Sequence, residues 1–315
     1  MKRYGVILLS LALCRCAPAF ESVGAFGSFL EEHGIGFDKT NAASAAVRGM
    51  LKAIDPGARF CSTQDVAVLR EQRRGWRGGV TNASALDAVE LWPEGLAYLK
   101  VRGLFEGSGE EIESHLRALE GRTGVILDLR GSDGADWASV IRLASPYHCP
   151  GDVLFVLQDL NRSNVSTHVA IGAGDLHVPL LMLTDRGTMC AAELLAALCR
   201  GAPGIMLLGA PTHGDARVRD LLDLPDGRSL YIATRKVLVE DGSAYDDRGV
   251  QPDIRVAPLA SLDTPFAGSA GHGRPPSAKT TRDRDLMMRV DGDAALRRAT
   301  DILLGIRALG DYGRP

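Results

Sequence analysis

"LLMLTDRGTMCAAELLAAL", residues 180–198, passes from a short apolar run into a run of helix formers, with Gly187 between them. An apolar run this short, closed by a turn residue, reads as a strand buried on both faces, and the Ala- and Leu-rich stretch reads as a helix. A strand feeding a helix is the repeating unit of a parallel sheet with covered faces. The unit recurs on both sides. "GVILDLR" (124–130) is a buried strand followed by a helix over roughly 135–145, and "GIMLLGA" (204–210) is the strand after the 190–199 helix. "LAYLKV" (96–101) alternates like a strand, Ser108 and Glu111 have capping-box spacing ahead of a helix to about Leu119, and "VLFVLQ" (153–158) is a further strand. In "LLDLPDGRSLYIAT" (221–234) Pro-Asp-Gly separates two strand-like runs and predicts a hairpin. The fold class is α/β.

The flanks differ. Lys2 and Arg3, the apolar "VILLSLALC" (6–14) and "APA" (17–19) form a tripartite export signal. Residues 1–19 are therefore expected to be removed, giving an exported periplasmic or extracellular protein with no integral membrane segment. A lipid anchor at Cys14 is disfavoured by the bulky Leu13 before it. Residues 20–79 read as a helical region, including "AASAAVRGMLKAID" (42–55), which stops at Pro56-Gly57. Residues 80–260 form the α/β core. The Gly/Pro/Ser-rich stretch 261–284 reads as a linker, and 285–315 as a C-terminal helix. The whole chain has 315 residues, 45% of them hydrophobic and 24% charged, with net charge −3. That balance gives no footing for a nucleic-acid partner. His148 and Cys149 make an isolated pair without a second ligand pair, so neither metal nor cofactor is expected. Cys61, Cys149, Cys190 and Cys199 allow three disulfide pairings; Cys190 with Cys199 is disfavoured because nine residues along a helix place them on opposite sides.

These blocks, in this order over about 40–260, resemble the C-terminal processing peptidases, also called tail-specific proteases. "VRGMLKAIDPGARFCSTQD" is similar to that family's N-terminal helical segment, "GVILDLRGSDGA" to its strand and Asp-Leu-Arg-Asn-x-Pro-Gly-Gly loop, and "GIMLLGAPTHGDARV" to the segment that carries its base. The resemblance implies a ClpP/crotonase-like core and acyl transfer by a serine with a lysine base. It puts the nucleophile position on Cys190, the base position on Asp215, the assisting position on Arg219, and the oxyanion-hole N–H groups at Gly134 and Ala191. All three side-chain positions depart from the family, and the residues between "RGWRGGV" (74–80) and Leu96 are too few for its PDZ module.

Two functions follow from these departures. The first is a pseudo-peptidase that binds a polypeptide chain or regulates a related protease subunit. The second is an active peptidase in which His213, two residues before Asp215, relays protons for Cys190. Against the second, a carboxylate at 215 raises a neighbouring thiol's pKa, and Asp133 beside a developing oxyanion is unfavourable. Glu193, in the first turn of the Cys190 helix, is expected to complement the helix dipole or cap the helix rather than to take part in catalysis.

Overall fold

The computed structural model describes residues 22–36, 38–73, 84–161, 164–172, 176–239, 245–257 and 281–312. The chain divides into two units, ending and beginning at Arg59 and Phe60.

In the first unit, α1 (Val23–Glu32) is capped by the Ser22 hydroxyl, which accepts from Ala25 N at 3.0 Å. α2 (Lys39–Ile54) is capped by Asp38, whose carboxylate accepts from Thr40 and Asn41 N. Both caps satisfy first-turn donors that no intrahelical carbonyl can reach. The export signal, residues 1–19, lies outside the described residues.

Strand β1 (Arg59–Cys61) and α3 (Thr63–Arg73) come next in the chain, followed by β2 (Leu86–Leu91), β3 (Leu96–Val101) and β4 (Gly103–Leu104). Then follow α4 (Ser108–Ala118), β5 (Gly124–Asp128), β6 (Asp133–Gly134) and α5 (Trp137–Ala144). β7 (Val153–Asp159), β8 (Val165–Val169), β9 (Leu180–Thr184), α6 (Cys190–Cys199) and β10 (Ile205–Gly209) complete the central run. β11 (Arg217–Asp223), β12 (Ser229–Val239), β13 (Ile254–Arg255), α7 (Thr281–Gly292) and α8 (Ala294–Tyr312) close the chain.

The main sheet runs β13-β10-β9-β5-β3-β2. Its pairs are parallel except β2 with β3. Every residue of β5 and β9 is buried, as continuous apolar runs require. Alternation along each strand divides them between two cores. Val125, Leu127, Leu180 and Met182 join Ile112, Val140 and Leu194 of α4, α5 and α6. Ile126, Leu181 and Leu183 join Leu296, Ala299 and Leu303 of α8 on the other face. The α8 start is pinned electrostatically. Asp293 accepts from Ala295 and Leu296 N and also pairs with Arg130 at 2.7 Å. Arg130 in turn grips buried Asp128, which accepts from Tyr98 as well.

Several expectations are corrected. β7 does not extend the parallel sheet; it pairs antiparallel with β8 and β12 in a second sheet, where β11 forms the expected hairpin with β12. The capping box at Ser108 does not form. Gly107, in the left-handed region at φ 83°, precedes the helix, and Glu111 instead accepts from Ser84 Oγ and Ala85 N, tying α4 to the strand before the core. The chain end holds two helices broken at Asp293, the first starting at Thr281 inside the expected linker; 261–280 lie outside the described residues. Only residues 74–85 separate α3 from the β2–β3 hairpin, a strand pair that the sequence reading missed on its first side. Cys149, Cys190 and Cys199 are free thiols, so none of the three pairings forms among them. No described helix is long and apolar enough to cross a membrane.

Candidate functional site

The loops after β5 and β9 leave the same end of the parallel sheet, where chain crossovers open a crevice. They are laced together. Asp185 Oδ1 accepts from Gly131 N at 3.0 Å and Gly187 N at 2.8 Å, Thr188 Oγ1 donates to Leu129 O at 2.9 Å, and Met189 N donates to Ser132 O at 2.9 Å. Gly187 could carry no side chain, since a Cβ there would lie 2.8 Å from Gly131 Cα. This lacing holds Cys190 at φ 51°, a left-handed conformation that costs a non-glycine residue about 1–3 kcal/mol.

Cys190 opens α6 and lines a cleft of about 570 Å³. Solvent reaches the thiol from the cleft, but most of its surroundings are protein. Crowding by that protein, then the carboxylates of Asp133, Asp215 and Glu193, push the thiol up to about 11 against a smaller opposing pull from Arg219. The structure thus brings Cys190, Asp215, Arg219, Asp133 and Gly134 to one cleft. Ala191 is the second residue of α6, so its N–H is among the first-turn donors without an intrahelical acceptor. Gly134 sits at φ 123°, where a Cβ would meet Leu104 O at 2.1 Å, so only glycine fits this close approach of β6 to β4.

Asp215 is held between two arginines. Its Oδ2 lies 2.7 Å from Arg219 Nη2, and its Oδ1 lies 3.4 Å from Arg217 Nε and accepts from Arg217 N. The residues at the base and assisting positions therefore neutralise each other. His213 does not line the cleft with Cys190. It is exposed, and its backbone is fixed by an N–H bond to Thr188 O at 3.1 Å. Among the described residues no hydrogen bond joins the His213 ring to Cys190 or Asp215.

Glu193 corrects the dipole expectation. It is fully buried, and Oε1 accepts from Thr212 Oγ1 and from Gly214 N at 2.6 Å, while Oε2 accepts from Asp215 N at 3.3 Å. Burial raises its pKa, and these bonds offset part of the rise. One side chain of the nucleophile helix thus fastens the loop that carries the base position. A signal for this was present in the sequence. α6 is apolar all round apart from Glu193, and such a helix is buried, which obliges an acid on it to be bonded. Asp246, which accepts from Ala216 N at 2.8 Å and pairs with Lys236 at 2.6 Å, fixes the next residue of the same loop and had no such signal.

The sequence profile of Peptidase family S41 matches residues 95–256, the span from β3 to just beyond β13. The chain belongs to peptidase family S41. Among curated relatives, it is 24% identical over 168 residues to the carboxy-terminal processing protease CtpA of Bacillus subtilis, covering 53% of this chain and 36% of CtpA. It is 26% identical over 171 residues to the nisin-resistance protein of Lactococcus lactis, covering 48% and 54%. The chain thus spans about a third of the length of CtpA. Among solved structures, a peptidase-class protein of Parabacteroides merdae superposes with a TM-score of 0.57 over 89% of both chains at 14% identity. A lipoprotein of Streptococcus agalactiae superposes with a TM-score of 0.51 over 70% of this chain and 79% of that one at 20% identity. At these identities the two structures speak for the S41 fold alone.

Proposed function

We propose that this chain is an exported S41 relative that binds extended polypeptide without hydrolysing it, serving as a scaffold or regulatory partner for an active relative. The observation that carries the proposal is the clamped Asp215. Both carboxylate oxygens of Asp215 are engaged by guanidiniums rather than turned to Cys190, and a thiol near 11 is almost wholly protonated at neutral pH. Acyl transfer needs a nucleophile whose proton has somewhere to go. A cleft and a strand edge serve binding equally well without one. β11 pairs with β12 alone among the described strands, so its outer edge offers backbone groups to an added strand along the cleft wall. Export rests on the charged, apolar and small-residue N-terminus.

The second reading, a Cys190 peptidase assisted by His213 and Asp215, draws support from the left-handed turn at Cys190, since strain of that kind gathers at reacting residues. The two readings are separated by incubating wild type, Cys190→Ala and His213→Ala with unfolded polypeptides across pH 5–9 and reading products by mass spectrometry. Background signals from all three support the binding protein. Cleavage by wild type that both substitutions abolish establishes the peptidase.

A further inference from the structure

We infer that the cleft selects a lysine or arginine side chain of the bound polypeptide rather than a free C-terminal carboxylate; this rests on the polypeptide-binding reading above and names what it recognises.

The cleft has two walls of different character. One is built on β11 and β12 and carries all three of the lining arginines, each already committed to a carboxylate. Arg217 and Arg219 hold Asp215, and Arg235 holds Asp220 at 3.2 Å. The other wall comes from segments 105–106 and 133–138 and adds Glu106, Asp133 and Asp136 with no lining cation. Five carboxylates against three guanidiniums leave the lining with two surplus negative charges. Clefts focus such a surplus, because their low-dielectric walls screen it poorly.

The floor carries the same sign. Three carboxylates act on Cys190 in the direction that disfavours a second negative charge, and one arginine opposes them. A carboxylate terminus seated there would have to overcome the same field, and its family-like donors at Gly134 and Ala191 do not remove it. Aromatic surface completes the complement. Phe105, Trp137, Tyr231 and Tyr245 line the cleft, and ring faces beside carboxylates attract an ammonium or guanidinium while covering its aliphatic stem.

The test uses the full chain and fluorescence anisotropy with unstructured peptides of equal length, identical except that the central residues are Lys, Gln or Glu. Each is made with a free and with an amidated C-terminus. The Lys peptide is expected to bind at least about tenfold more tightly than the Gln peptide at low salt, to lose most of that margin in about 0.5 M salt, and to be indifferent to amidation. The variant Glu106→Gln/Asp136→Asn should shrink the margin severalfold; asparagine still caps α5, and circular dichroism confirms that the variant is folded. Equal binding of all three peptides, tighter binding of the Glu peptide, or a margin unchanged in the folded variant overturns the inference and leaves polypeptide binding standing. Absence of binding by every peptide overturns both.

Discussion

Alkylation of Cys190 as a function of pH measures directly whether this site retains an activated nucleophile. The perturbation is iodoacetamide in brief pulses between pH 6 and 11.5, with the peptides bearing Cys190 and exposed Cys149 quantified by mass spectrometry. A thiol moved from 9.0 to about 11 has roughly a hundredfold less thiolate near neutrality. The more basic thiolate is intrinsically more nucleophilic, by about eightfold for a Brønsted slope near 0.45. The product of the two effects is a reaction about tenfold slower than an unperturbed thiol, rising about tenfold per pH unit until it levels off near pH 11. Asp215→Asn removes one of the three carboxylates that raise the thiol while Arg219, which lowers it, stays, so its profile should shift to lower pH and its neutral-pH rate should rise severalfold. A wild-type profile that levels off below pH 7 refutes the reasoning, because it means that the thiol is ionised at working pH in spite of its neighbours.

Glu193→Ala leaves Thr212 Oγ1, Gly214 N and Asp215 N without their shared acceptor and should lower unfolding free energy by about 3 kcal/mol or more in urea titrations; a loss under about 1 kcal/mol would show that water replaces the carboxylate. Arg130→Ala strips buried Asp128 of its two-point partner and α8 of its tie at Asp293, costing about 2–3 kcal/mol, less than for a wholly buried pair because Arg130 keeps some solvent contact. Burial works against the charge on Asp128, but the Arg130 bonds outweigh it and hold the carboxyl below its ordinary value. Its stabilising contribution is thus present above about pH 4 and lost as pH falls through the lower folded value, so acid should narrow the gap between wild type and Arg130→Ala. Cys190→Ser/Asp215→Lys/Arg219→Gln restores the family's side chains on a backbone that keeps its turn and donors, and should give measurable cleavage of unfolded polypeptide where wild type gives none.

The parallel core was legible because β5 and β9 are buried on both faces and the residue pattern says so without knowledge of neighbours. β7 was legible as a strand but not as a member of the second sheet, since an apolar run carries no record of which strand it pairs with. The capping box failed for a related reason. Glu111 had the spacing to bond back to its own helix, and Ala85 N and Ser84 Oγ, 26 and 27 residues away, won it instead. Local spacing lists the bonds available to a side chain; tertiary contact decides among them.

The site divides along the same line. The positions of Cys190, Asp215 and Arg219 were legible because order and spacing along the chain fix them, and the structure gathers all three around one cleft. What spacing could not convey is that Asp215 and Arg219 form one chemical unit. Four residues apart, Asp215 just before β11 and Arg219 within it meet at 2.7 Å, with Arg217 joining from between them. Asp215 stands beside the Cys190 thiol and the Glu193 carboxylate, and the two guanidiniums offset its charge there. The pair sits on the loop that Glu193 fastens through Gly214 N and Asp215 N, so the charge pair and the loop's anchor are built on the same few residues. The turn at Cys190 has a separate cause: the lacing runs through Asp185, Thr188 and Ser132 and uses no side-chain atom of residue 190, so the left-handed geometry is set by the loops and not by the chemistry of the thiol or of Asp215.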